Sequence, residues 1–308
     1  MSDTRPLVWI PFDAAALGSP STSLRYERFL PEERDGVPGS VEEVEFYVPP
    51  YRFSPADYEI IARMPRLKAV QTLTAGVDHV RPYVPGGVLL CNGRGIHNAS
   101  TAELAVGLAI ASLRGIPSFV RAQDQGRWRP VEARSLADRT VLIVGYGAIG
   151  LAIEERLGGF EVELLRVARR SREGVHGFED LPDLLPRADV VILIVPITDE
   201  TRGLVDREFL ARMKDDALLV NVARGPVVDT DALLEALHSG RIRAALDVTD
   251  PEPLPEGHPL WKAPNLLISP HVGGASSAMW PRAYKLVREQ LERFAAGEPL
   301  ENVMEGHY

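Results

Sequence analysis

Apolar residues in this chain cluster into short, dense runs separated by amphipathic stretches, and the two kinds of segment alternate through most of its length. LVWI (7–10), VEFYV (44–48), LKAVQTL (67–73) and GVLLC (87–91) read as strands, and the stretches near 22–30 and 56–63 read as helices. Together they predict a small doubly wound unit. From Asn98 to about Gln123 the pattern predicts one long helix: Ser100 and Glu103 stand at capping-box spacing, and Leu104, Leu108, Ala111 and Ile116 supply apolar positions. Gly107 and Gly115 count against it. A second series follows: TVLIVG (140–145), VELLRV (162–167), DVVILIV (189–195), ALLVNV (217–222), RAALDV (243–248) and NLLISP (265–270). Most of these runs are apolar at nearly every position, as strands covered by helices on both faces must be, so the predicted class is α/β with parallel sheets. Residues 276–296 read as a last helix that ends at Gly297.

Composition narrows the class of molecule without naming a function. A length of 308 residues suits two domains of ordinary size. With 45% apolar and 25% charged residues, and no apolar run near the ~18 residues that span a bilayer, a membrane span is not expected. The amino terminus, MSDTRPLVWIPFD, lacks the long apolar stretch of a secretory signal, so the mature chain is expected to begin there. A single cysteine, Cys91, excludes an intrachain disulfide and a cysteine metal cluster, reads best as a small half-buried hydrophobe, and fits a reducing cytoplasm. The net charge of −9 argues against nucleic acid as a partner, and no metal site is expected.

The first run that carries chemistry is TVLIVG, which leads into Gly145-Tyr146-Gly147-Ala148-Ile149-Gly150 and then the amphipathic LAIEERL. Strand, glycine turn and helix in that order form a dinucleotide-binding fingerprint: the glycines allow the tight turn and close backbone approach, and the helix N-terminus binds the pyrophosphate. A plain tight turn is the alternative. At the end of the next strand an NAD site places an acid for the ribose hydroxyls, but here Val167-Ala168 leads into Arg169-Arg170-Ser171-Arg172. That composition suits a 2′-phosphate, so NADP(H) is expected ahead of NAD(H), against the alternative of a solvated basic loop. Glu163 is a rival ribose contact but lies early in its strand.

Arg224, Glu252 and His271 each follow a predicted strand end, the edge at which open α/β sheets bind ligands. Singly they read equally as a surface arginine, a solvated acid in DVTDPEPLP and a structural histidine. Together they suit reduction of a 2-keto acid: Arg224 binds the carboxylate and carbonyl, His271 protonates the carbonyl oxygen as hydride arrives, and Glu252 orients His271 and favours its imidazolium.

With these residues in place the sequence resembles the D-isomer-specific 2-hydroxyacid dehydrogenase family, over essentially the whole chain. LLPRADVVILIVPITDETRGLV (184–205) is similar to that family's second signature, and MKDDALLVNVARGPVVD (213–229) to its third, which carries the catalytic arginine. DVTDPEPLP and SPHVGGAS stand where the family has its glutamate and histidine. The resemblance implies a Rossmann cofactor domain at 98–276, inserted in a flavodoxin-like substrate domain made of 1–97 plus 277–308. It places Asp247 at the nicotinamide carboxamide, and Val195, Pro196, Thr201, Val222, Ala223 and Gly273 along the cofactor. LTAGVD (73–78) resembles the loop that binds the substrate carboxylate, with Thr74 beside it and the amides of Ala75 and Gly76 as donors. The alternative there is a plain glycine turn.

The resemblance further implies a homodimer built on the helix near 98–122. DVTDPEPLP and the basic stretch at 169–172 look like those of glyoxylate and hydroxypyruvate reductases. A short-form D-3-phosphoglycerate dehydrogenase is the alternative enzyme, and a cofactor-sensing binding protein similar to the C-terminal-binding-protein corepressors is the non-enzymatic one. Formate dehydrogenases of this fold have glutamine where Glu252 stands, which argues against that activity.

Overall fold

The computed structural model describes residues 3–33, 36–52 and 54–304. The chain forms two compact units, residues 1–97 with 277–308, and residues 98–276. Strands are β1 (Leu7–Ile10), β2 (Arg25–Arg28), β3 (Val44–Tyr47), β4 (Ala69–Gln71), β5 (Leu89–Cys91), β6 (Thr140–Val144), β7 (Glu163–Val167), β8 (Val190–Leu193), β9 (Leu218–Asn221), β10 (Arg243–Leu246) and β11 (Leu266–Ile268). The α-helices are α1 (Ala56–Glu59), α2 (Asn98–Leu113), α3 (Ile116–Asp124), α4 (Ala148–Leu157), α5 (Leu181–Leu184), α6 (Arg207–Arg212), α7 (Thr230–His238) and α8 (Met279–Ala296).

The first unit carries a parallel sheet of order β2-β1-β3-β4-β5, the flavodoxin-like arrangement. Alternate residues of β1 feed opposite cores: Leu7 and Trp9 pack with Val44, Tyr47 and Val70, while Val8 and Ile10 pack with Phe46 and Ala69. Helix α8 covers the second of these faces through Met279, Ala283, Val287 and Leu291, one apolar residue per turn. It ends where the sequence placed its stop, with Gly297 left-handed at φ +69°.

The helix expected at 22–30 is instead strand β2. Its residues Arg25–Arg28 pair with Leu7–Ile10 at the edge of the sheet, where a strand is buried on too little of its surface to need an apolar run. Glu27 then accepts hydrogen bonds from Trp9 Nε1 at 3.2 Å and Ser40 Oγ at 2.7 Å.

The second unit carries a parallel sheet of order β11-β10-β9-β8-β6-β7. The chain runs outward from β6 to β7 and returns to β8 on the other side of β6, which makes the carboxyl end of β6 the topological switch point of a Rossmann sheet. Both faces are covered: Leu142 and Val144 enter one core, Val141 and Ile143 the other, the second shared with Ala102, Ala105, Leu108 and Ala109 of α2.

The single helix expected from Asn98 to Gln123 is broken. Gly115 adopts φ +68°, and α3 leaves α2 at a bend of 66°. Ile116, Phe119 and Val120 of α3 and Trp128 beyond it lie exposed. Among the described residues no single helix is long and apolar enough to cross a membrane; only the bent pair α2 and α3 passes that test, by length and composition.

A buried amide ties α8 into the first unit. Gln290 Nε2 donates to Gln71 Oε1 at 2.7 Å and to the Glu301 carbonyl at 2.9 Å, and Gln290 Oε1 accepts the Glu301 N–H at 2.9 Å. Gln290→Ala strands these buried groups and is expected to destabilise the first unit by about 2–3 kcal/mol, at about 1–3 kcal/mol per unsatisfied group. Urea unfolding of the variant against the parent chain measures it.

Candidate active site

The turn after β6 is shaped by what its glycines must avoid. A Cβ on Gly145, at φ +110°, would lie 2.4 Å from the Ile194 carbonyl oxygen, and one on Gly150 would lie 2.7 Å from the Gly145 oxygen. Packing therefore dictates both positions. Gly147, the N-cap of α4, is different, because a Cβ there would meet nothing within 4 Å. Its missing side chain leaves open space in front of Ala148, Ile149 and Gly150, whose amides open the first turn of α4. First-turn amides lack intrahelical acceptors, so this cradle fits a pyrophosphate. The turn is hooked to the neighbouring strand by the N–H groups of Gly145 and Tyr146, which both donate to the Val167 carbonyl at 2.8 Å.

Beyond Val167 the exposed residues Arg169, Arg170 and Ser171 lead into a tight hairpin closed between Arg172 and Val175. Glu163 stands at the other end of β7, opposite Thr140, where it bonds Thr140 Oγ1 at 3.1 Å and Arg187 at 3.0 Å. That removes it from the ribose end of the strand. Tyr146 is held among charged groups: its hydroxyl donates to Glu154 Oε2 at 2.6 Å, and Glu154 takes Arg166 through two bonds of 2.6 Å. Burial, followed by the Glu154 carboxylate, pushes the Tyr146 phenol above its ordinary pKa, while the Arg166 guanidinium holds Glu154 below the usual carboxylate range.

Val195 and Pro196 continue from β8 directly beside the glycine turn, and Val195 is buried. Thr201 is buried as well, but its hydroxyl works within its own loop, donating to the Pro196 carbonyl at 2.6 Å and accepting the Thr198 N–H at 2.8 Å.

At the end of β9 the wholly buried Asn221 braces the turn that presents Arg224. Its Oδ1 accepts the Ala223 N–H at 3.0 Å and its Nδ2 donates to the Arg224 carbonyl at 3.0 Å. Val222 and Ala223 are buried under that turn, and the half-buried Arg224 donates through its guanidinium to the Ala223 carbonyl at 2.9 Å. Gly225 brings the turn against the loop after β10, since a Cβ there would lie 1.9 Å from the Thr249 carbonyl oxygen.

Asp247 closes the arrangement. Buried at the end of β10, its carboxylate accepts Ser269 Oγ at 2.6 Å, the Val272 N–H at 2.9 Å and the Gly273 N–H at 2.8 Å, and its backbone carbonyl accepts the His271 N–H at 2.7 Å. His271 sits in this reversal at φ +51°, and its Nδ1 pairs with Glu252 Oε1. The histidine is half-buried, while Glu252 is exposed on a loop braced by bonds from Thr249 Oγ1 to the Pro251 carbonyl (2.9 Å) and from Thr230 Oγ1 to the Asp250 carbonyl (2.8 Å).

In the first unit, the loop after β4 has its carbonyls tied inward. Leu73 O accepts His97 Nε2 at 2.7 Å, Thr74 O accepts Thr72 Oγ1 at 2.9 Å, Ala75 O accepts Asn92 Nδ2 at 3.0 Å, and Gly76 O accepts Thr74 Oγ1 at 2.7 Å. Peptide planarity aims the N–H of each following residue the opposite way.

A family model, D-isomer specific 2-hydroxyacid dehydrogenase, NAD binding domain, matches residues 106–273. The chain is 36% identical over 257 residues to a glyoxylate reductase of Thermofilum pendens, covering 79% of this chain and 76% of that protein. The chain belongs to the D-isomer-specific 2-hydroxyacid dehydrogenase family. A human glyoxylate reductase/hydroxypyruvate reductase is 35% identical over 248 residues, 76% of each chain. The crystal structure of a D-isomer-specific 2-hydroxyacid dehydrogenase from Xanthobacter autotrophicus Py2 in complex with NADPH and MES is 33% identical, with a TM-score of 0.81 over 98% of both chains.

The structure of this dehydrogenase thus brings Glu252 to His271, Asp247 to the segment 269–273, and the Arg224 turn against the loop that leads to Glu252. Sequence reasoning missed Asn221, Ser269 and the Tyr146–Glu154–Arg166 network. A buried polar residue closing an otherwise apolar strand, as in LLVN, was the available signal for Asn221. Gly225→Ala drives a methyl group into the Thr249 backbone and is expected to lower Tm by several degrees, with faster amide exchange at 247–252, as hydrogen-exchange mass spectrometry reports.

Proposed function

We propose that this enzyme reduces a small 2-keto acid of the glyoxylate or hydroxypyruvate type to its D-2-hydroxy acid, with NADPH as the preferred cofactor. The observation that carries the reading is the Glu252–His271 pair, set by Asp247 in a left-handed reversal beyond β11. A histidine in that backbone conformation is held there at a cost, which is characteristic of functional positions.

When bound, the reduced nicotinamide supplies the hydride to the carbonyl carbon. His271 donates the proton to the carbonyl oxygen, so that one hydride and one proton convert the ketone to the alcohol. Glu252 accepts from Nδ1, which fixes the ring orientation and leaves Nε2 as the proton-bearing nitrogen that faces substrate. Arg224 pairs with the substrate carboxylate and polarises the carbonyl. The N–H groups of Ala75 and Gly76 are a further candidate carboxylate-binding element.

NADPH is favoured by the stretch after β7, which has no carboxylate before Glu179 other than Glu173 and carries Arg169, Arg170 and Arg172. A homodimer is part of the same reading, supported by the apolar side chains that α3 leaves exposed.

Following oxidation of NADPH and NADH with glyoxylate, hydroxypyruvate and pyruvate tests the reading. NADPH turnover is expected to be fastest with one of the first two, and absence of oxidation with every 2-keto acid would sink the assignment. His271→Ala is expected to lower kcat by about 10²–10⁴-fold, the usual contribution of a general acid, with a much smaller effect on cofactor affinity. An unaltered kcat removes His271 from the chemistry.

A further inference from the structure

We propose that Tyr146 is a positioning residue that holds the Arg172 guanidinium across the phosphate-binding turn, and that this pair carries most of the discrimination for a phosphate on the adenosine ribose. The inference rests on the NADPH reading above and assigns it to particular atoms.

In a dinucleotide site the ribose is recognised where the end of the second strand faces the first glycine turn. In this chain a single side chain joins those two places. Arg172 donates to the Tyr146 carbonyl at 2.9 Å, and its guanidinium carbon lies 5.7 Å from the centre of the Tyr146 ring, within cation–π range. The Arg172 backbone is fixed too: it exchanges hydrogen bonds of 2.9 and 2.8 Å with Val175, and the next residue, His176, donates to the Arg166 carbonyl at 2.8 Å. The guanidinium therefore hangs from a closed hairpin, and Arg169 and Arg170 lie in the bend before it.

Charge balance separates Arg172 from its neighbour. Arg166 also stands against the Tyr146 ring, at 5.8 Å, but both oxygens of Glu154 take its guanidinium and neutralise it. Among the described residues no carboxylate pairs with Arg172. Of the two cations on the ring, Arg172 is the one whose field remains for a dianion. Ordering it in advance also removes part of the entropy that a long side chain loses on binding. Tyr146 is itself oriented through its hydroxyl on Glu154, so one tyrosine aligns a neutralised arginine on one contact and an active one on the other.

Calorimetric titration of the full chain with adenosine 2′,5′-bisphosphate and with 5′-AMP reads this directly. Arg172→Ala is expected to weaken the bisphosphate at least tenfold and 5′-AMP less than twofold, and Arg170→Ala to cost less than Arg172→Ala. Tyr146→Leu is expected to lose most of the same selectivity, and Tyr146→Phe, which keeps the ring face, to restore most of it, a rescue that a merely structural role would not produce. Arg172 is exposed, so its variants are not expected to disturb folding even where Tyr146→Leu does. Unchanged bisphosphate affinity in Arg172→Ala, or an equal or greater loss in Arg170→Ala, overturns the inference and leaves the NADPH reading standing. A parent chain that binds the bisphosphate no more tightly than 5′-AMP overturns both.

Discussion

The second unit depends most on the carboxylate of Asp247. It lies buried at the end of β10, and its oxygens take a hydroxyl and two backbone N–H groups from the segment that follows β11. Hydrogen bonds to a charged acceptor contribute about 1.5–3 kcal/mol each, enough to hold a residue in a left-handed conformation that costs on the order of 1–3 kcal/mol. His271 is that residue. Its backbone N–H is also taken by Asp247, through the main-chain carbonyl, so Asp247 aims the ring that meets Glu252. Gly273 is forced by the same arrangement, since a Cβ there would approach Asp247 Oδ2 to 2.9 Å.

The same division of labour recurs along the carboxyl edge of the sheet. Asn221 grips the turn that carries Arg224, and Gly225 lets that turn touch the Thr249 backbone. Gly145 lets the glycine turn touch Ile194. Parallel strands all end at one edge, so the loops that leave them crowd together, and glycines at the crossings and buried polar side chains beneath them keep each loop in one conformation. The proposed catalytic pair stands on that framework while remaining accessible: His271 is half-buried and Glu252 exposed.

What was legible in the sequence follows from burial. Strands covered on both faces must be apolar at every position, and LVWI and TVLIV were read with their observed boundaries or within a residue of them. Strand β2 was misread because an edge strand escapes that demand, and RYER carries no apolar run. The break at Gly115 was invisible to a periodicity that continues through Ile116 on the far side of the bend. Placement of Arg224, Glu252 and His271 after strand ends was legible, but the contact between Glu252 and His271 spans 19 positions, so its pairing was drawn from the chemistry the three residues suit and not from any local pattern. The network around Tyr146 could not be read at all, because Arg166, Glu154 and Arg172 meet it from a strand, a helix and a hairpin.

That network shows why residue type alone is a poor guide to a cofactor site. Arg166 and Arg172 are the same side chain at nearly the same distance from the same ring, 5.8 and 5.7 Å. Glu154 separates them: its carboxylate pairs with Arg166, and among the described residues no carboxylate pairs with Arg172. Counting arginines after β7 would weigh Arg169, Arg170 and Arg172 alike. An arginine anchored on a backbone carbonyl and paired with no carboxylate keeps its charge for an arriving phosphate and has part of its ordering already complete. The glycine turn fits a pyrophosphate, and on the proposed reading the local balance of charge selects between the two dinucleotides.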